Sequence, residues 1–176
     1  MIEKKGSAVV IILIIFLLSL MSGCTESVEN NDGEDFEFTL LDGSIKHLSD
    51  YYGKIIILDL MAVNCQPCMY QMFELKSISE NYSKEEVTII SIDVWIASGE
   101  TSEMVQDYID AFRQQAGIEL DWVFGIDDAI GSIGTEYASE GVPTLYILDK
   151  KGNIYYTNVG YEPYDSLAEK IDQLLI

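Results

Sequence analysis

Nothing in the chain limits its fold more than the run Ile55-Ile56-Ile57-Leu58-Asp59-Leu60-Met61 and the segment directly after it. Residues 54–61 are apolar almost without a break, the pattern of a central strand buried on both faces rather than of a strand with one wet side. Helical periodicity sets in over residues 67–82, with Met69, Met72, Phe73 and Leu75 at apolar positions and Pro67 tolerated in the first turn. Between strand and helix stand Cys65-Gln66-Pro67-Cys68. A strand buried on both sides needs helices over both faces of its sheet, which commits this segment to an α/β architecture.

The remaining segments continue the alternation. Residues 36–40 form a short alternating strand, Leu41-Asp42-Gly43-Ser44 is a turn signal, and residues 45–48 return as the hairpin partner. Residues 87–96 are a second buried strand, and residues 100–116 an acidic amphipathic helix ending before Gly117. A short strand (122–126), a short helix (130–137), two strands (145–149 and 154–159) joined by Lys150-Lys151-Gly152-Asn153, and a closing helix (164–175) complete the chain. The pattern predicts a βαβ core with a largely parallel sheet and an antiparallel C-terminal hairpin. At 176 residues there is room for one ordinary domain and a short tail, and an apolar fraction of 48% supplies a core.

A C-x-x-C pair between a buried strand and a helix start carries chemical information. Free N–H groups and the positive end of the helix dipole stabilise a thiolate there, and only the thiolate attacks disulfides. Cys65 is then the nucleophile, and Cys68, one turn on, resolves the mixed disulfide. Pro67 holds the tight loop. Three other readings compete. A zinc site usually needs four ligands, and neither a second C-x-x-C nor a His pair exists. A structural disulfide closing so short a loop is a poor staple. Two unrelated buried thiols are the third. Asp59, alone in its apolar strand, should be buried with a raised pKa, either to exchange protons or simply to bond backbone at a strand end.

The chain carries 30 acidic against 10 basic residues, a net charge of −20. Such a surface repels nucleic-acid phosphates and anionic head groups, so nucleic-acid binding is excluded; the acidity serves solubility, or less plainly a basic partner. Lys4 and Lys5 precede an apolar stretch without charge up to Thr25, the pattern of a signal peptide or membrane anchor over residues 1–23, with the rest of the chain on the extracytoplasmic side. Leu20-Met21-Ser22-Gly23-Cys24 resembles a prokaryotic lipobox, with Met21 where Leu is usual, which makes Cys24 the candidate for lipidation; an incidental cysteine after an uncleaved anchor is the alternative. Residues 24–34 read as a flexible acidic linker, and residues 35–176 as the folded domain.

With these residues in hand, the domain resembles the thioredoxin superfamily, in its extracytoplasmic TlpA/ResA-like branch related to AhpC/TSA proteins. Asp35-Phe36-Glu37-Phe38-Thr39-Leu40-Leu41-Asp42-Gly43, Leu48-Ser49-Asp50-Tyr51-Tyr52-Gly53-Lys54 and Gly141-Val142-Pro143-Thr144 with Leu145 to Gly152 match its motifs in order. The resemblance implies a thioredoxin-like three-layer sandwich with an extra N-terminal hairpin and a central helix–strand insertion, which residues 87–116 can supply. It implies a cis Val142–Pro143 bond, Pro143 opposite Cys65 and Cys68, and Val142 pairing with a substrate chain. Asp59 takes the place of the buried acid that assists proton transfer at the second cysteine. Asn64, Gln66, Pro67 and Val142 form the expected substrate surface. Asn64 departs from the family's aromatic residue before the first cysteine, Met61 replaces another aromatic, and Phe73 stands where a kinking proline is frequent. Trp95 and Trp122 read as core or pocket wall and His47 as a surface residue, while Tyr137, Tyr146 or Tyr161 could line the substrate face.

The function this implies is thiol–disulfide exchange, without cofactor or metal, between a membrane-held monomer and disulfide-containing or dithiol extracytoplasmic proteins. The direction expected is reduction, with a membrane electron donor restoring the dithiol. A peroxiredoxin-like peroxidase is the alternative enzyme, disfavoured because Ala62 stands where a Thr or Ser is usual. A Sco-like copper chaperone fits less well, since its cysteines are more widely spaced and His47 lies upstream. A redox-inactive binding module is the last reading.

Overall fold

The computed structural model describes residues 34–176. The leader 1–23, Cys24 and all but the last residue of the linker 24–34 lie outside the described residues. Within them, no helix is long and apolar enough to cross a membrane.

Seven strands form one sheet: β1 (Glu37–Leu40), β2 (Ile45–His47), β3 (Ile55–Met61), β4 (Val87–Asp93), β5 (Val123–Ile126), β6 (Thr144–Leu148) and β7 (Ile154–Val159), in the order β2-β1-β5-β4-β3-β6-β7. Four helices pack on it: α1 (Gln66–Asn81), α2 (Ser102–Ala111), α3 (Ser132–Tyr137) and α4 (Tyr164–Leu175). Every residue of β3 is buried, as its composition demands. Its odd-numbered side chains Ile55 and Ile57 pack with Leu75, Ile78, Leu167 and Ile171 of α1 and α4. Its even-numbered Ile56, Leu58 and Leu60 pack on the other face with Phe38, Leu48 and Ile133. Burying each such side chain is worth about 1.5–3 kcal/mol, so β3 anchors both layers of the sandwich.

The sheet is less parallel than the strand–helix alternation predicts. Only β3–β4 and β4–β5 pair in parallel; β3–β6, β6–β7, β1–β5 and β1–β2 are antiparallel. The reason lies in helix length. A parallel return needs a crossover that runs the length of the sheet, and α1 provides one between β3 and β4. The six residues of α3 span only about 9 Å at 1.5 Å per residue, too short to carry the chain back. Strand β6 therefore starts at the end where β5 finished, with Thr144 opposite Leu60. That is the end of the sheet at which β3 delivers the cysteines.

Two element boundaries differ from the sequence expectation in ways that matter to the site. The expected strand 87–96 stops at Asp93, whose carboxylate accepts the Trp95 N–H at 2.9 Å and turns the chain. The expected helix 100–116 begins at Ser102, capped by the Thr101 hydroxyl, which accepts the Met104 N–H. It widens into a π turn over Phe112–Ala116, closed by Gly117 at φ 66°. Glu100 is thereby left outside the helix.

Candidate active site

Cys65 is the N-cap of α1, in extended conformation, and Cys68 lies in the first turn. The two are joined by a disulfide with Cα atoms 5.2 Å apart. Cys65 is 8% exposed and Cys68 is fully buried, so an incoming sulfur can reach only the first. The Cys68 N–H donates to Cys65 Sγ at 3.2 Å, a hydrogen bond that favours a thiolate once the disulfide opens. Pro67 occupies the second helical position, where a missing N–H costs nothing. Asn64, Gln66 and Pro67 are exposed around the disulfide.

Opposite them, the Val142–Pro143 peptide bond is cis, as the resemblance implies. The Val142 carbonyl oxygen lies 3.6 Å from Cys65 Sγ, and the Pro143 carbonyl accepts the Gly160 N–H from the end of β7 at 2.7 Å. Cys65, Cys68, Met61, Met72, Val105 and Phe112 form one apolar cluster, with Val142 packed against it. The insertion helix α2 thus roofs the disulfide. Among the described residues, no three His, Cys, Asp or Glu side chains converge in a way that could hold a metal ion.

Asp59 is fully buried in β3. Side chains alternate along a strand, which places it on the face of Met61, the face of α1 and α2. Its Oδ2 accepts the Ser91 hydroxyl at 2.8 Å, and Ser91 Oγ accepts the Trp122 indole N–H at 3.0 Å. Its Oδ1 has no partner. Burial pushes its carboxyl up to about 7, against the hydrogen bond from Ser91, which lowers it.

A second acidic group lies directly before the nucleophile, and the sequence reading missed it. Glu100, 5% exposed, accepts the Val63 N–H at 3.0 Å, the Asn64 N–H at 3.1 Å and the Asn64 side-chain amide at 2.5 Å. Asp93 also accepts the Val63 N–H, at 3.2 Å. Burial first, then hydrogen bonding with Glu100, push the Asp93 carboxyl well above the usual carboxylate range. Asn64 is thus tied down as well as exposed. A lone Glu just before an amphipathic helix looks like first-turn acidity; only the early stop of β4 and the late start of α2 bring it to Asn64.

Gln71, buried in α1, was also missed. Its amide donates to the Glu162 carbonyl at 3.1 Å and accepts the Glu162 N–H at 2.8 Å, fastening the β7–α4 connection to α1. Beside it, Tyr70, Phe73, Glu74 and Tyr161 line a hollow of about 350 Å³. Of the tyrosines named above, Tyr161 lies here on the α1 side. Tyr137 and Tyr146 pack instead beneath the N-terminal hairpin, Tyr137 against Phe36 at 5.3 Å, with the Tyr146 hydroxyl donating to the Tyr137 carbonyl. Trp95 is exposed, Trp122 is partly buried, and His47 sits on the surface near Asp35 and Glu37.

The thioredoxin-like likeness extends to known proteins. Thioredoxin-like protein YneN of Bacillus subtilis is 28% identical over 145 residues, covering 82% of this chain and 79% of that protein. Thiol-disulfide oxidoreductase ResA of Bacillus cereus is 24% identical, covering 97% of this chain and 98% of that protein. Among solved structures, a putative thiol:disulfide interchange protein DsbE from Chlorobium tepidum superposes with a TM-score of 0.68 at 20% identity, over 82% of this chain and 96% of its own. Together with the disulfide at the head of α1, these relatives make the chain a thiol–disulfide oxidoreductase. The sequence profile of the AhpC/TSA family matches residues 30–157, and the chain belongs to that family, as a thioredoxin-superfamily protein of the TlpA/ResA kind.

Proposed function

We propose that the chain is held at the membrane through residues 1–24, by an uncleaved anchor or a lipid on Cys24, and reduces disulfides of extracytoplasmic proteins with the Cys65–Cys68 pair. The observation that carries the exchange chemistry is the Cys65 sulfur at the edge of the buried cluster, capping α1 and facing the Val142 carbonyl. The basic flank and apolar stretch of the leader support the location.

In the dithiol state the Cys65 thiolate attacks a client disulfide, forming one S–S bond and expelling one client thiolate, which takes a proton from water. Asp59 accepts the Cys68 thiol proton. The Cys68 thiolate then attacks Cys65 Sγ, closes the intramolecular disulfide and expels the second client thiolate. Two electrons and two protons from a membrane donor restore the dithiol. The client strand lies along Val142 and Pro143, over Asn64, Gln66 and Pro67. An Asp59 pKa near 7 suits both taking and returning a proton.

Trapping tests this directly. The full-length Cys68→Ser chain, expressed in cells, should accumulate Cys65 as a mixed disulfide with a specific extracytoplasmic protein. No trapped species, together with no disulfide reductase activity in the unaltered chain, refutes it. A reduction potential above that of the local thiol pool would reverse the direction to oxidation.

A further inference from the structure

The two hydrogen bonds that lead from Trp122 through Ser91 to Asp59 have a fixed polarity. An indole N–H only donates, so Ser91 Oγ is the acceptor in the 3.0 Å contact with Trp122 Nε1. A serine hydroxyl carries one hydrogen, and here that hydrogen goes to Asp59 Oδ2 at 2.8 Å. A proton placed on Oδ2 would either meet the hydrogen of Ser91 or, on the other lone pair, leave Ser91 donating to a hydroxyl oxygen, a weaker acceptor than a carboxylate oxygen. Relieving the first would require Ser91 to turn its hydrogen away, into a fully buried site, at the cost of an unmet donor. Oδ1 has no such conflict. It is buried without a partner, and Tyr108 Oη of α2 is the other such side-chain atom among the described residues.

We propose that Trp122 and Ser91 are positioning residues for Asp59, holding Oδ2 as a hydrogen-bond acceptor so that the proton exchanged with Cys68 enters and leaves at Oδ1. This rests on the reading of Asp59 as the proton acceptor for Cys68. The step balances simply. The Cys68 S–H bond breaks and an O–H bond forms at Oδ1. The sulfur electron pair closes the Cys65–Cys68 bond, and the client thiolate leaves with the pair of the bond that breaks. Of the elements packed around Asp59, α2 brings Tyr108 as a titratable group, β4 offers the non-titrating Ser91, and β6 presents the apolar Leu145 opposite; Cys68 enters through the proposed proton transfer. The Asp59 charge reaches Tyr108 and, after burial, helps to push its phenol up.

The arrangement makes Trp122 act only through Ser91. The test follows the Asp59 carboxyl by carbon-13 NMR pH titration in the full-length chain in detergent, with Asp59→Asn assigning the signal. Ser91→Ala removes a hydrogen bond to the charged form and should raise the Asp59 pKa by about one unit. Trp122→Phe removes the donor that orients and polarises the Ser91 hydroxyl, weakening its hydrogen bond to the charged carboxylate, which also raises it. The double variant should match Ser91→Ala alone, and Ser91→Thr, which keeps the hydroxyl, should restore the parent value. The same shifts should appear in the pH profile of mixed-disulfide resolution by Cys68. An unmoved Asp59 pKa in Ser91→Ala, or a Trp122→Phe shift that persists without the Ser91 hydroxyl, overturns the proposal while leaving Asp59 as the acceptor intact. An Asp59→Asn variant whose resolution step keeps the parent pH profile instead overturns the role of Asp59 itself.

Discussion

Asp59→Asn should separate stability from function in a way that can be computed from the site. The folded carboxyl lies near 7 and the unfolded one near 3.8. Between those values the native state binds more protons than the unfolded state, so stability falls as pH rises through the window and the loss is complete above the folded pKa. The gap amounts to about 4 kcal/mol of stability missing at pH 8 and nearly all present at pH 4. Asparagine carries no charge and lacks this term. Its amide also puts donors where Oδ1 has no partner, at a pH-independent cost of about 1–3 kcal/mol. Asp59→Asn is therefore destabilising at pH 4 and neutral to stabilising at pH 8, with the two differences separated by about 4 kcal/mol. Urea unfolding of the disulfide form at both pH values measures this, and keeping the disulfide closed prevents Cys68 from titrating. The same variant should slow resolution by Cys68 at every pH. A stability difference that is the same at pH 4 and pH 8 refutes the raised Asp59 pKa, and with it the reasoning from burial.

Two further outcomes concern contacts away from Asp59. Glu100→Ala leaves the backbone and side-chain amide donors of Asn64 unpaired and the Val63 N–H with Asp93 alone, and should cost about 1–3 kcal/mol, lessened by partial hydration. It should also change the rate at which the reduced chain reacts with a small aromatic disulfide; unaltered stability and rate would remove Glu100 from the site. Gly152 sits at φ 91° with Tyr52 Cζ 2.3 Å from where a Cβ would stand, so Gly152→Ala should cost about 1–3 kcal/mol in urea unfolding without altering the exchange rate; a neutral substitution would show that Tyr52 moves aside freely.

Much of this architecture could be read from the residues because its signals are local. The apolar run of β3 and the periodicity of α1 placed both cysteines at a strand-to-helix junction. Strand β7 and helix α4 have the bounds their patterns indicate. The antiparallel entry of β6 was not local, since it depends on how far six residues of helix can travel. Glu100 escaped for a related reason. Its role depends on two boundaries, set by side chains of Asp93 and Thr101 that compete with the backbone for its own hydrogen bonds. Ser91 and Trp122 are ordinary strand and core residues in sequence; only the register of β3, β4 and β5 makes them a chain of donors to Asp59.

The pairing of β3 with β6 also sets what the family can vary. Leu60 and Thr144 are ladder partners, so the strand that delivers the cysteines and the strand that begins after Pro143 are held about 4.8 Å apart by backbone geometry that every residue type shares. The spacing between disulfide and proline loop is thus independent of the loops and of the surface sequence. The peptide between β5 and β6 can lengthen, shorten or change its helix, and an acidic chain can diverge until barely a quarter of its residues match a relative, without moving one half of the site against the other. The exposed side chains of Asn64, Gln66 and Tyr161 can then change while the two backbones stay in place.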